Sequence, residues 1–236
     1  MKSARSLRPF KPYGGQAGLR NLLIAGALGL VLAIVALLPA AAQAQTRRLV
    51  ALGDSLTQGY GLPPGDGFVP QLQAWLDAEG AAVSVINAGV SGDTTAGGLS
   101  RLDWTLADPV DAMIVALGGN DLLRAIPPDE ARRNLDAILT RTAASSIPVL
   151  LVPVSAPGNY GADYKHDFDA IYPELAARHG ALLAGDILAP ILDRPDRAAA
   201  LRDLMQPDGI HPNARGVGLV VAAIGPRVLD LLAGLN

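Results

Sequence analysis

The sequence predicts an α/β fold, a parallel sheet covered by helices on both faces. Three observations predict it. Short apolar runs rich in Leu, Ile and Val alternate with longer runs of helical spacing. This alternation of strand and helix is the pattern of sheets buried on both faces. The first three apolar runs each stop in a polar, glycine-rich turn, the position at which open parallel sheets bind their ligands.

Taking the chain in order, residues 1–21 carry Lys2, Arg5, Arg8, Lys11 and Arg20 and no acid, and residues 22–38 are only Leu, Ile, Val, Ala and Gly. Ala42, Gln43 and Ala44 then fit the A-x-A pattern of a signal-peptidase site. We expect a secretory signal over 1–44, cleaved before Gln45, and a single domain over 45–236 in the periplasm or outside the cell. The rival is an uncleaved amino-terminal anchor, because a run of this length is at the lower edge of what spans a bilayer. No paired arginine precedes the run and no Cys is available for lipid attachment, which favours a Sec-type signal. No later apolar run looks long enough to span, so no stable membrane insertion is expected after cleavage.

Within the domain, 49–52, 83–87, 112–117 and 148–152 read as buried strands, and 181–183 as a weaker fifth. Helical spacing covers 68–79, 129–144 and 167–179. The stretch 212–232 reads as a long closing helix with Pro212 at its first position. No repeat, low-complexity tract or linker divides the domain.

Charge and composition exclude several functions. Removing the five basic residues of 1–44 leaves 14 basic against 22 acidic residues, a formal charge of −8. A surface this acidic has no footing for nucleic acid, whose phosphates need a basic face. Zero cysteines exclude disulfides, thiolate chemistry and Cys-based zinc sites. Three scattered histidines make a zinc site improbable, and the chemistry read below requires no metal or organic cofactor. The expected partner is a small-molecule substrate, and the expected state is a monomer.

Four polar clusters share one rim of the predicted sheet. Residues 53–61 read Gly-Asp-Ser-Leu-Thr-Gln-Gly-Tyr-Gly, residues 87–94 Asn-Ala-Gly-Val-Ser-Gly-Asp-Thr, and residues 118–121 Gly-Gly-Asn-Asp. The fourth, Asp-Gly-Ile-His-Pro-Asn over 208–213, precedes the closing helix. A nucleophilic site needs a base that takes a proton near neutral pH, and His is the natural choice. His179 ends a helical run beside Gly180 and reads as solvated, and His166 lies in a polar, exposed segment. His211 alone has an Asp three residues before it, so Asp208 can hold one ring nitrogen while the other faces outward. Ser55 and Ser91 both lie in strand-end turns and both remain open as nucleophile on spacing alone. Gly92 and Asn120, at neighbouring strand ends, can supply a backbone N–H and an amide donor to an oxyanion.

Together these clusters resemble the sequence blocks of the SGNH (GDSL) hydrolase family, whose Ser, Gly, Asn and His correspond to Ser55, Gly92, Asn120 and His211. The resemblance runs from about Leu49 to the closing helix. It implies a three-layer αβα, flavodoxin-like fold with a five-stranded parallel sheet in the order 2-1-3-4-5. It implies Ser55 as nucleophile and Asp208 with His211 completing a triad. The N–H groups of Ser55 and Gly92 and the Asn120 side chain would form the oxyanion hole. The blocks are similar to those of the bacterial periplasmic branch, whose members hydrolyse acyl thioesters, aryl esters and lysophospholipids. The Gly-x-Ser-x-Gly elbow of α/β-hydrolases is missing.

An acyl groove is expected along the loop 122–128, with Leu122, Leu123 and Ile126 on one wall and Tyr160 of the Gly-Asn-Tyr-Gly loop on the other. The alternative is that these leucines and the isoleucine only cap the sheet. A carbohydrate O-acetylesterase would use the same catalytic parts, but few aromatics (4%) give little surface for stacking sugars. A binding module on the same scaffold would be expected to have lost part of the triad.

Overall fold

The computed structural model describes residues 46–235; the expected signal and its cleavage point lie outside the described residues. Five parallel strands form one sheet: β1 Arg47–Gly53, β2 Val83–Gly89, β3 Ala112–Ala116, β4 Val149–Leu151 and β5 Leu182–Leu183, in the order β2-β1-β3-β4-β5. The helices are α1 Ser55–Gln58, α2 Phe68–Ala78, α3 Thr95–Ser100, α4 Leu102–Thr105, α5 Gly119–Leu123 and α6 Pro128–Ala144. After β4 come α7 Ala162–Asp169, α8 Ile171–His179, α9 Ala189–Leu192, α10 Arg197–Leu204 and α11 Ala214–Ala233.

Side-chain alternation along the strands builds three layers. Leu49 and Ala51 of β1 and Ile114 of β3 point to one face, where α2 and α11 bury Leu72, Leu76, Val220 and Ile224 against them. Val50, Leu52, Met113 and Val115 point to the other face, against Leu135 and Ile138 of α6 and Tyr172 and Leu175 of α8. The expected αβα architecture, strand number and order are therefore present.

The closing helix differs from expectation in two respects. Asn213 is its N-cap, accepting from the N–H groups of Arg215 (3.0 Å) and Gly216 (3.1 Å), so Pro212 stands outside the helix rather than at its first position. The Pro212 backbone is instead taken by an antiparallel bridge to Met205. Helix α11 is also long and apolar enough to cross a membrane by length and composition, contrary to the expectation that no apolar run after the amino-terminal one is long enough. Here its apolar stripe, from Val217 to Leu231, is packed against the sheet. The expected helix over 167–179 is in fact two, α7 and α8, joined at Ala170.

The register decides where the site falls. Gly53 at the end of β1 pairs with Gly89 of β2 and with Ala116 of β3. The three strands thus end level, and the turns after them meet at one rim.

Candidate active site

Asp54 leaves β1 and caps α1, its Oδ1 accepting from the Leu56 N–H at 3.0 Å. Ser55 is therefore the first residue of a one-turn helix, fixed by the strand behind it. That helix lies directly on the end of β2: a Cβ at Gly89 would stand 2.3 Å from the Gln58 nitrogen. Only glycine permits so close an approach.

The base arrives from the far end of the chain. Residues 206–211 form a tight loop between α10 and α11, closed by the Gln206 N–H donating to the His211 carbonyl at 2.7 Å. Within it, Asp208 Oδ1 accepts from the backbone N–H groups of Ile210 (2.9 Å) and His211 (3.0 Å), and Oδ2 lies 2.6 Å from His211 Nδ1. His211 Nε2 lies 2.8 Å from Ser55 Oγ. With Nδ1–H donating to the carboxylate, Nε2 is left to accept the serine proton. Burial pulls the Asp208 carboxyl upward, but the two backbone N–H groups, the His211 ring and its charge outweigh that and hold it at about 2.

Ser91, the rival nucleophile on spacing, has no such partner; its hydroxyl donates to Gln58 Oε1 at 2.5 Å. His166 is exposed on α7. His179 does end α8, but it is not solvated: its side chain is 15% exposed and Nε2 lies 2.7 Å from Asp136 on α6. It clamps two helices together.

The oxyanion candidates are held by several bonds. Gly92 takes φ +83°, and its carbonyl accepts from Arg124 Nη2 at 2.8 Å. Arg101 ties the same turn to β1, pairing with Asp93 at 2.6 Å and donating to the Gly53 carbonyl at 2.9 Å. Asn120 Nδ2 donates to Asp54 Oδ2 at 3.4 Å. The next residue, Asp121, is wholly buried and accepts from the Thr95 N–H (2.8 Å) and hydroxyl (2.6 Å), which links α5 to α3.

The expected acyl wall is partly corrected. Leu122 is 5% exposed and packs into the core with Leu117 and Leu135, so it caps the sheet and does not line a groove. A one-turn helix sends neighbouring side chains in different directions, and Leu123 is 59% exposed. The Ile126 carbonyl accepts from Tyr164 OH at 2.8 Å, and Tyr160 packs on Tyr164 with ring centroids 5.1 Å apart. Ile126 and Tyr160 are thus joined through a residue the sequence did not single out. A second apolar recess, also unforeseen, opens beside Ser55 and His211 and is lined by Leu56, Tyr60, Leu62, Leu188 and Gln206. Among the described residues no group of three or more His, Asp or Glu stands together as a metal site.

A hydroxyl, an imidazole and a carboxylate in series at a strand-end rim are the parts of a serine hydrolase. Residues 51–219 match the GDSL-like Lipase/Acylhydrolase family, and the chain belongs to it. It is 36% identical over 215 residues to esterase TesA of Pseudomonas aeruginosa, spanning 91% of this chain and all of the relative. It is 37% identical over 166 residues to thioesterase 1/protease 1/lysophospholipase L1 of Escherichia coli K12, spanning 70% of this chain and 75% of the relative. The solved structure of AlinE4, an SGNH-hydrolase family esterase, is 44% identical and superposes with a TM-score of 0.64 over 79% of this chain and 97% of its own. The protein is a carboxylic ester hydrolase.

Proposed function

We propose that Ser55, His211 and Asp208 are the catalytic triad of this esterase. The observation that carries the assignment is the unbroken series Ser55 Oγ, His211 Nε2 (2.8 Å), His211 Nδ1, Asp208 Oδ2 (2.6 Å). His211 takes the Ser55 proton as Ser55 Oγ attacks the acyl carbonyl. The oxyanion is received by the N–H groups of Ser55 and Gly92 and by Asn120 Nδ2. His211 then gives its proton to the departing alkoxide or thiolate, leaving an acyl-enzyme. Water attacks that ester with His211 again as base, and Ser55 is released.

The substrates we propose are small acyl esters: aryl esters, acyl thioesters or lysophospholipids. Exposed Leu123 and Tyr160, with Ile126, supply apolar surface for the acyl chain. We further propose that residues 1–44 are an export signal cut before Gln45, that residues 45–236 work as a monomer, and that the enzyme acts in the periplasm or outside the cell. The basic start and the A-x-A site support this reading.

The test is hydrolysis of p-nitrophenyl esters from acetate to palmitate by the wild type beside Ser55→Ala. Activity lost in the variant is expected, and the chain-length profile separates a short-acyl esterase from a lipid-directed one. A folded Ser55→Ala that keeps its activity would remove Ser55 from the scheme.

A further inference from the structure

We infer that Gln206 is a positioning residue, which holds the loop carrying His211 in register with the turn carrying Ser55. The inference rests on the triad proposed above. Nothing in the local sequence around Gln206 marks it, because its key bond joins residues 146 positions apart.

Its side-chain amide has two hydrogens, and both are committed. Nε2 donates to the Tyr60 carbonyl at 2.9 Å and to the Pro212 carbonyl at 3.0 Å. Tyr60 stands one residue beyond the helix of Ser55, after its C-cap Gly59, and Pro212 directly follows His211. One nitrogen therefore stitches the two segments whose meeting creates the 2.8 Å contact between Ser55 and His211. The Gln206 backbone closes the same loop from inside: its N–H donates to the His211 carbonyl at 2.7 Å, and its carbonyl accepts from the Gly209 N–H at 3.0 Å.

Two further features point the same way. The Tyr60 ring rests on the His211 ring, with centroids 4.8 Å apart and planes at 40°, so moving the Tyr60 carbonyl moves a neighbour of the imidazole. Gly61, at φ +73°, leaves room for the amide; a Cβ there would lie 2.3 Å from Gln206 Oε1. Two carbonyls can be bridged only by a side chain with two donors on one short arm. Glutamate has none when ionised, and methionine fills the space without any.

Gln206→Met and Gln206→Glu should therefore lower kcat while leaving substrate binding alone. A small misplacement of the base costs about 10–100-fold in kcat; KM is expected to stay close to the wild-type value. The downfield proton of the short His211–Asp208 hydrogen bond, followed by NMR, should shift or broaden in both variants. Gly61→Ala pushes the same amide from the other side and should give the same split, which guards against a fold defect peculiar to position 206. Wild-type kcat in folded Gln206→Met and Gln206→Glu, or an unmoved imidazole proton, would overturn the inference. Absence of Ser55-dependent hydrolysis in the wild type would count against the esterase reading instead, since the imidazole proton reports on Gln206 with or without turnover.

Discussion

The Asp54 carboxylate holds the Asn120 amide, with Oδ2 accepting from Nδ2 at 3.4 Å while Oδ1 caps the Leu56 N–H at 3.0 Å. One carboxylate thus anchors both the turn of Ser55 and a proposed oxyanion donor. It does so at 5% exposure, and burial pushes its pKa up to about 6 against the Leu56 N–H, the His211 charge and the Asn120 amide. Asp208, more open and supplied with N–H donors, is held at about 2. Two carboxylates flanking one site are driven apart by their surroundings.

Asp54 should therefore make the fold less stable at neutral pH. Its folded carboxyl binds protons more tightly than the unfolded one, near 3.8, so stability falls as pH rises from about 4 to 6 and the penalty is complete above 6. An amide keeps the cap acceptor without the charge. Asp54→Asn is expected to gain about 1–3 kcal/mol of stability at pH 8, shrinking toward zero near pH 4. Urea unfolding at the two pH values checks this; an equal change at both would contradict it.

How far the sequence reaches depends on how local each cause is. The sheet was legible because residues such as 112–116 are apolar without interruption, which only a doubly covered strand tolerates. Helix α1 was not, since four residues carry no period. The break at Ala170 was hidden because Phe168 and Ile171 still fall on the buried side of a continuous helical reading. Asp208 and His211 could be paired from a three-residue spacing. Asp54, Gln206 and the His179–Asp136 clamp could not, because their partners lie 43 to 146 residues away.

Asn120→Ala removes the one side-chain donor proposed for the oxyanion. Its turnover is expected to fall roughly 10²–10³-fold, with KM little changed because the donor acts on charge that develops only in the transition state. Steady-state kinetics on a single p-nitrophenyl ester decides it, and unchanged turnover would exclude Asn120.

Asp208→Asn should cost on the order of 10⁴-fold in kcat, because an amide no longer fixes the Nδ1–H tautomer or stabilises the imidazolium. The same substitution should alter acid unfolding. A carboxyl depressed to about 2 contributes stability that is full above its unfolded value near 3.8 and lost as pH falls through 2. The variant should lose less stability than wild type between pH 4 and 2, measured by circular dichroism.

Leu122 and Leu123 separate packing from selectivity at adjacent positions. Leu122→Ala opens a cavity between α5 and the core residues Leu117 and Leu135, and should destabilise by about 2–4 kcal/mol with the acyl-chain preference unaltered. Leu123 is largely exposed, so Leu123→Arg should change stability by no more than about 0.5 kcal/mol. If Leu123 forms part of the acyl wall, a cation there penalises long chains more than acetate, because each buried methylene loses its apolar contact. The palmitate-to-acetate rate ratio should then fall in Leu123→Arg and hold in Leu122→Ala. A ratio unchanged in Leu123→Arg would place the acyl chain elsewhere, with the recess between Tyr60 and Leu188 as the next surface to probe.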